Sequence, residues 1–260
     1  MRITITDGIR SDKNNPTLDD TYHYPEMIVQ IKHKTIYKAN FKGHTYWFGY
    51  EFDPATSNSD RTKFIHYLKG IGEQKMPDWE LKQFIEYPLN ELDKQINLYS
   101  VDCFIYPVSG RSPLVQRMIE VINEYTSHEI KRVSFELVKR IPADVEFDWE
   151  LFESEVSADT NKYNQMMSYI KDTLMPAIEK LDYFSLATSV KLKYRRYIKN
   201  FFDFSEEDVK RISNLQGKKI LIVDDINTSG STLNEILRIV RKINPDCEIF
   251  IYTLIGNFKK

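Results

Sequence analysis

The sequence predicts an α/β fold whose C-terminal half is a parallel sheet, with a β-rich N-terminal appendage and a helical insertion. Two observations favour it. Residues 101–108 form an apolar run with little alternation, as expected of a strand buried on both faces. From there to residue 254, strand and helix patterns succeed one another, which is typical of parallel β-α-β units. The 260 residues allow one large domain or a core domain with an appendage.

Composition sets the class of protein. Hydrophobic residues make up 42% and aromatic residues 13%, which is enough for a sizeable core and excludes a disordered chain. A net charge of −2 gives no global attraction to nucleic acid or membrane. The first residues lack a secretory signal, and no apolar run approaches the roughly 20 residues that cross a bilayer. Cys103 and Cys247 lie in apolar runs predicted to be strands, so we expect buried, reduced thiols and a cytoplasmic protein.

Residues 1–98 predict a β-rich region followed by helices, which we expect to act as an accessory domain or as a hood over the functional site. Strand-like runs cover 27–33, 35–41 and 45–52, and the last is rich in aromatic residues. Such a segment is typical of a hairpin packed on a core, with the wall of a ligand site as the alternative. From 61 to 98, apolar residues recur at helical spacing, interrupted by Pro77 and Pro88.

Residues 99–260 contain the predicted α/β core. After the strand at 101–108 we predict a helix over 114–125 and a strand over 131–138. Residues 143–182 are acidic at their start and helical later, which indicates an insertion. The core then resumes with a strand over 218–223, a helix over 231–243 and a final strand over 248–254.

The segment 220–232 contains the residues that predict a function. An apolar strand ends in the pair Asp224-Asp225, at the sheet edge where open α/β sheets bind ligands. Gly230 lets the backbone approach a ligand closely, and a helix N-terminus follows that suits a phosphate group. The hydroxyl groups of the loop belong to Thr228, Ser229, Ser231 and Thr232. Helix capping explains one or two of these residues, but not an acidic pair together with four hydroxyl residues. Two carboxylates can accept hydrogen bonds from vicinal hydroxyls, or hold Mg²⁺ directly or through water.

This segment resembles the phosphoribosyl pyrophosphate signature of type I phosphoribosyltransferases, and the resemblance extends over roughly residues 100–255. It implies a Rossmann-like parallel sheet of that kind, the substrate 5-phosphoribosyl-1-pyrophosphate, Mg²⁺ as cofactor and a homodimer. In that family the acids contact the ribose hydroxyls and the loop binds the 5-phosphate, which carries over to Asp224, Asp225 and residues 228–232. Asn227 stands where the family usually has an apolar residue.

Two further segments stand where the family has binding loops. Ser109, Gly110, Arg111 and Ser112 follow the first core strand, where relatives hold the pyrophosphate, and a leaving pyrophosphate needs cationic and N–H stabilisation. A capped turn entering a helix is the alternative. Lys139 and Arg140 end the next strand, where relatives have basic residues before a flexible loop. Lys139 would be a catalytic residue there, and a solvated strand end is the alternative.

The run 191–204 alternates basic and aromatic residues. Arg195 and Arg196 lie among them, and the segment resembles the ComF-like branch of the family, whose members are associated with DNA uptake. Clustered arginines and aromatic rings also bind single-stranded nucleic acid through phosphate contacts and stacking. A solvated amphipathic helix is the alternative.

Three functions follow as hypotheses: transfer of phosphoribose to a nitrogenous acceptor, sensing of phosphoribosyl pyrophosphate or a nucleotide without turnover, and a ComF-like accessory role in DNA uptake or in defence against foreign DNA. Hypoxanthine–guanine transferases carry an aspartate where Thr228 stands. Because threonine cannot serve as that base, salvage of 6-oxopurines by that route is disfavoured.

Overall fold

The computed structural model describes residues 2–6, 28–32, 36–73, 75–107, 112–126, 133–157, 159–182, 184–215, 217–227 and 229–256. The chain forms two compact units. The first comprises Met1–Phe135, Gly217–Thr228 and Glu248–Lys260, and the second comprises Glu136–Gln216 and Ser229–Cys247. Strands and helices alternate along both, and the central sheet is mostly parallel, which confirms the predicted α/β class. In the described part of the chain, no helix is both long and apolar enough to span a membrane.

The sheet of the first unit brings N-terminal and C-terminal strands together. Its order is β1 (Arg2–Thr6), β2 (Ile28–Lys32), β4 (His44–Phe52), β11 (Glu248–Gly256), β10 (Lys219–Ile226) and β5 (Cys103–Pro107), and β3 (Tyr37–Phe41) pairs with β4. Strands β4, β11, β10 and β5 are parallel neighbours, whereas β2 and β3 are antiparallel to β4. The apolar run 220–223 of β10 is fully buried, as expected of four consecutive apolar residues in a strand covered on both faces.

The helices of the first unit are α1 (Asn58–Lys69), α2 (Asp78–Glu86), α3 (Leu89–Ile96) and α4 (Leu114–Tyr125). Helix α1 begins where the Ser57 side chain accepts a hydrogen bond from the Asp60 N–H, and it ends at Gly70, which adopts the left-handed conformation. Pro77 and Pro88 lie immediately before α2 and α3, so the two interruptions of the helical pattern are helix starts.

One hydrophobic core joins these helices to one face of the sheet. Leu221 and Val223 of β10 pack in it with Phe64 and Leu68 of α1. Because side chains alternate along a strand, Asp225 belongs to the same face of β10 as Leu221 and Val223. The end of this strand therefore presents a carboxylate on the side that α1 covers.

The second unit includes all of residues 143–182, for which the sequence predicted a helical insertion. Its elements are β6 (Val133–Lys139, which begins in the first unit), β7 (Glu146–Phe147), α5 (Trp149–Val156), α6 (Thr160–Tyr169), α7 (Met175–Glu179), α8 (Leu186–Ser189), β8 (Ile198–Lys199), β9 (Phe202–Asp203), α9 (Glu206–Ser213) and α10 (Ser231–Ile243). Strand β9 pairs antiparallel with β6, and β7 pairs antiparallel with β8. An aromatic cluster fills its core: the ring of Phe152 meets that of Tyr197 edge-on at 5.3 Å.

Both cysteines are buried free thiols, as predicted. Cys103 lies in β5, but the prediction that Cys247 lies in a strand is wrong, because this residue occupies the turn before β11. The Cys247 thiol donates a hydrogen bond to the Asn244 carbonyl at 3.1 Å. The Arg241 side chain donates to the Cys247 carbonyl at 2.8 Å. Cys247 thus bonds within the turn, and β11 begins at the next residue, Glu248.

Candidate functional site

Two adjacent carboxylates lie at the carboxyl end of β10. Asp224 is 6% exposed and Asp225 is 8% exposed, although both are acids. Ladder pairing with β11 continues past them to Ile226, so they are the last part of the strand and not the loop that follows it. Buried carboxylates are costly unless partners satisfy them, which makes this pair a candidate for a binding site.

Asp225 has a cationic partner. The Nζ atom of Lys69, the last residue of α1, lies 2.5 Å from Asp225 Oδ2. The two side chains are 23% and 12% exposed, so solvent screens this ion pair only in part. On its other oxygen, Asp225 accepts a hydrogen bond from the Ile226 N–H at 2.6 Å.

Burial and charge shift the ionisation of these groups. Burial, and then the neighbouring charge of Asp225, raise the pKa of Asp224 to about 8, although Lys69 acts in the opposite direction. Burial opposes the charge on Lys69, but the Asp225 carboxylate outweighs it, so the pKa of Lys69 is raised. At neutral pH the structure therefore favours a protonated Asp224 beside an ammonium–carboxylate pair.

A second group of polar side chains supports the end of β10. Thr253 of β11 is the cross-strand neighbour of Asp224, and its Oγ1 lies 2.5 Å from the hydroxyl of Tyr46 in β4. Tyr46 also hydrogen-bonds the side chain of Asn227, and burial is the main reason that the pKa of this phenol is raised. The Asn227 N–H donates to the Ile255 carbonyl at 2.9 Å. Asn227, the first residue after β10, is thus hydrogen-bonded to both β4 and β11.

Thr228 lies outside the described residues, and the residues that follow it belong to the second unit. Gly230 has a φ of 74°, a conformation that favours glycine, and its carbonyl starts the first turn of α10. The hydroxyls of Ser229 and Ser231 lie 2.9 Å apart. Gly230, the N-cap residue, has no side chain that could bond the helix start, and the Ser231 N–H donates to Ser229 Oγ at 3.5 Å. The N–H groups at a helix N-terminus suit an anion. Thr232 is the second residue of the first turn of α10.

Residues 173–260 match the model of the phosphoribosyl transferase domain. The matched third of the chain contains β10, the loop after it, α10 and β11. No curated protein shows significant sequence similarity to the chain. Among solved structures, the chain is similar to a hypoxanthine phosphoribosyltransferase from Staphylococcus aureus, at 13% identity and a TM-score of 0.33. That similarity covers 68% of this chain and 65% of the other, so the chain spans slightly less than two thirds of the length of that transferase.

The predicted pyrophosphate residues lie N-terminal to the part that matches the phosphoribosyl transferase domain. Ser109, Gly110 and Arg111 are outside the described residues. Ser112 is buried, and its hydroxyl accepts a hydrogen bond from the Leu114 N–H at 3.3 Å, at the start of α4. Parallel pairing of β5 with β10 means that the chain leaves β5 at the same sheet edge as the acidic pair.

The other predicted basic residues lie in the second unit, and the arginines among them have separate partners. Lys139 is the last residue of β6. Arg140 pairs with Asp203 at 2.5 Å, and Arg196 pairs with Glu155 at 2.8 Å. The Nε atom of Arg195 donates to the Val190 carbonyl at 2.8 Å, and burial lowers the pKa of this guanidinium. Arg140 and Arg196 are therefore engaged with different carboxylates and do not converge on one anion.

Three residues of the site escaped prediction from the sequence. Thr253 could have been noticed, because it is a polar residue inside a predicted buried strand next to β10. Lys69 has no local signal, and Tyr46 lies in the aromatic segment 45–52, for which the wall of a ligand site was only the alternative interpretation. They reach the acidic pair and its support through tertiary contacts made by α1 and β4, which no motif near residue 225 encodes.

Proposed function

We propose that this chain binds 5-phosphoribosyl-1-pyrophosphate through residues 220–232 and transfers its phosphoribosyl group to a nitrogenous acceptor, releasing pyrophosphate. One observation supports this best. Two buried, adjacent carboxylates, Asp224 and Asp225, lie at the carboxyl end of a central parallel strand. Gly230, five residues after Asp225, adopts the left-handed conformation and starts a helix. The match to the phosphoribosyl transferase domain includes this whole segment.

In this proposal the acidic pair recognises the sugar. Two carboxyl groups side by side suit the vicinal 2- and 3-hydroxyls of ribose, because each hydroxyl can donate to a carboxylate oxygen. Asp224 accepts such bonds when ionised and can donate one when protonated. The burial of both groups strengthens each bond, since solvent competes for it less.

The loop after β10 would hold the 5-phosphate. Gly230 lets the backbone come close to the phosphate oxygens, and the N–H groups of the first turn of α10 carry the partial positive charge of the helix N-terminus. The hydroxyls of Thr228, Ser229, Ser231 and Thr232 would add hydrogen bonds. Asn227, fixed by Tyr46 and by the Ile255 carbonyl, would set where this loop begins.

The acidic pair also fits a magnesium ion that arrives with its ligand. Among the described residues, no group of three or more histidine, cysteine, aspartate or glutamate side chains forms a metal site. Mg²⁺ is commonly held by one or two carboxylates together with substrate phosphates, which agrees with Asp224 and Asp225 acting through water or through the ribose. Bound Mg²⁺ would neutralise charge on the leaving pyrophosphate.

The reaction breaks the bond between ribose C1 and a pyrophosphate oxygen and forms a bond between C1 and the acceptor nitrogen. The electron pair of the broken bond leaves with pyrophosphate, for which we propose N–H and cationic stabilisation from Ser109, Gly110, Arg111 and Ser112. The acceptor must lose a proton, and we propose Lys139 as the basic residue that assists. Asp224 and Asp225 hold the sugar while positive charge develops on its ring.

Isothermal titration with 5-phosphoribosyl-1-pyrophosphate, with and without Mg²⁺, tests the binding site. We expect Mg²⁺-dependent binding that disappears in Asp224→Asn/Asp225→Asn while the circular dichroism spectrum stays that of a folded protein. Glu206→Gln/Glu207→Gln is the matched control, because it also removes two adjacent negative charges, but from exposed positions at the start of α9. Unchanged affinity in the double aspartate variant would overturn the proposed site.

Turnover is tested separately by measuring pyrophosphate release in the presence of a panel of nucleobases and amines. Release that depends on one acceptor supports the transferase. Saturable binding without release from any acceptor favours a sensor of phosphoribosyl pyrophosphate. The position of Thr228, where an aspartate would provide a base, is the observation that favours this second function.

A further inference from the structure

Lys69 brings a positive charge to the acidic pair from outside the segment that carries the phosphoribosyl transferase motif. We propose that Lys69 serves as the resident cation of Asp225, so that this carboxylate binds ribose hydroxyls without a divalent ion of its own. The inference rests on the proposed function, since it concerns how the same pair recognises the sugar. It assigns a binding role to α1, which lies outside residues 173–260.

The position of the ammonium group is fixed by the end of α1. Gly70 closes the helix with a φ of 63°, and its N–H bonds the carbonyls of the last turn. Tyr67 and Leu68, directly before Lys69, are buried in the core that α1 shares with β10. The helix end therefore cannot move away from the strand without exposing this core, and the 2.5 Å contact with Asp225 Oδ2 follows from the packing.

Charge balance explains why a cation is needed there. Burial removes the water that would stabilise the negative charge of Asp225, and the adjacent acid Asp224 adds repulsion whenever it is ionised. Among the described residues, Lys69 is the one basic side chain within ion-pair distance of either carboxylate. In many sugar phosphate sites a divalent ion neutralises the carboxylates, but here the ammonium group of Lys69 supplies the positive charge.

Lys69 leaves room for the ligand. An ionised carboxylate has about four acceptor positions. At Asp225 the ammonium takes one on Oδ2 and the Ile226 N–H takes one on Oδ1, so positions for a ribose hydroxyl remain. The lysine is thus compatible with a bound sugar and need not be displaced by it.

The space beside Lys69 makes a rescue experiment feasible. Lys69 lines a cleft of about 280 Å³ whose other charged lining residues are Lys75, Asp78, Arg117 and Glu120. This volume accommodates a hydrated cation, and Mg²⁺ in proteins usually keeps several of its waters. Removing the ammonium also vacates its position next to Asp225 Oδ2, which an added ion can then occupy.

Titration with ribose 5-phosphate tests the inference, because this ligand has the diol and the phosphate but no pyrophosphate that itself recruits Mg²⁺. We expect the unaltered protein to bind it equally in chelator and in Mg²⁺. In Lys69→Met, affinity in chelator should fall at least about tenfold, and Mg²⁺ should restore most of it. Lys69→Arg should keep Mg²⁺-independent binding, since it retains the cation.

Three other results have distinct meanings. Lys63→Met removes an exposed charge from the same helix and should leave both titrations unchanged. If Lys69→Met binds as tightly as the unaltered protein in chelator, or if its loss of affinity is the same with Mg²⁺, the resident-cation role is overturned while the proposed function stands. If the unaltered protein binds neither ribose 5-phosphate nor 5-phosphoribosyl-1-pyrophosphate, the proposed function fails, and the role of Lys69 fails with it.

Discussion

The hydroxyl of Tyr46 lies 2.5 Å from Thr253 Oγ1, and Thr253 is the cross-strand neighbour of Asp224. Tyr46 is fully buried in β4, and it also bonds the side chain of Asn227. An N-terminal strand therefore supports both the acidic pair and the first residue of the proposed phosphate loop. Because the phenol is buried, removing its oxygen takes a hydrogen bond from Thr253 and from Asn227, although Thr253 keeps its bond to the Ile255 carbonyl at 3.2 Å.

Tyr46→Phe should weaken the proposed site as well as the fold. We expect a loss of about 1–2 kcal/mol in the free energy of unfolding, because buried partners lose a hydrogen bond. Affinity for 5-phosphoribosyl-1-pyrophosphate should also fall, because Asn227 loses the contact that fixes the start of the loop. Urea unfolding and calorimetric titration measure the two effects.

Tyr50→Phe is the matched control for that variant. Tyr50 lies in the same strand and is also buried, and its hydroxyl donates to the Phe84 carbonyl at 2.8 Å. We expect a similar loss of stability without a change in ligand affinity. Equal loss of affinity in both variants would show that Tyr46 acts only through the general stability of β4.

Asp224→Asn should change how stability depends on pH. An unfolded aspartate loses its proton near pH 3.8, whereas Asp224 in the folded protein, raised by burial and by Asp225, keeps it to about pH 8. Between these values the native state binds more protons, so this group makes the free energy of unfolding fall as pH rises and level off above about 8. The slope from one such group is at most about 1.4 kcal/mol per pH unit. The variant lacks this slope, so its stability relative to the unaltered protein should increase from pH 5 to pH 8.

Urea unfolding in chelator at pH values between 5 and 9 measures this difference. Glu206→Gln removes an exposed carboxylate at the start of α9, and its curve should run parallel to that of the unaltered protein. A constant offset between Asp224→Asn and the unaltered protein over the whole range would contradict a raised pKa for Asp224.

The sequence predicted the regular elements of the core because their signals are local. The helices at 114–125 and 231–243 were predicted with the bounds that the structure has, since each combines a long amphipathic pattern with a turn before it. The strand predicted over 218–223 extends to Ile226, because pairing with β11 continues past the acids. The apolar pattern of a sequence indicates where a strand is buried. It does not indicate where the hydrogen bonds to the neighbouring strand end.

The surroundings of the acidic pair could not be predicted in the same way. Asp224 and Asp225 are recognisable from a contiguous motif, but Lys69 and Tyr46 reach them through the packing of α1 and β4 against the sheet. Nothing in the spacing of residues 1–98 indicated that β4 would pair in parallel with β11. Long-range pairing depends on the whole core, so a single sequence does not reveal it.

Gly230→Ala should cost stability and ligand affinity together. At a φ of 74° an alanine Cβ crowds the backbone, which costs roughly 1–2 kcal/mol. Gly217→Ala is the matched control, because Gly217 has a φ of 67° and open space for a Cβ, and it lies before the amino end of β10. We expect both variants to lose similar stability in urea unfolding, but only Gly230→Ala to lose affinity in calorimetric titration. If Gly217→Ala also loses affinity, the loss in Gly230→Ala comes from a weakened fold rather than from the loop.

Single-stranded DNA binding should be weak, because the segment 191–204 does not present its aromatic rings to solvent. Its aromatic residues are at most 5% exposed: Tyr194, Tyr197, Phe201, Phe202 and Phe204. Arg196 is paired with Glu155, and Arg195 donates to the Val190 carbonyl. Stacking therefore contributes nothing to binding, and the guanidinium groups would have to give up partners to contact phosphates.

Fluorescence anisotropy of a labelled oligothymidylate at about 50 and 200 mM salt measures this binding. We expect no saturable binding at the higher salt, and the same isotherms for Arg195→Met/Arg196→Met as for the unaltered protein. A steep fall in affinity with salt that disappears in the double variant would contradict the expectation. Phosphate contacts by these arginines would then release counterions, and the accessory role in DNA uptake or defence would become the better account of this segment.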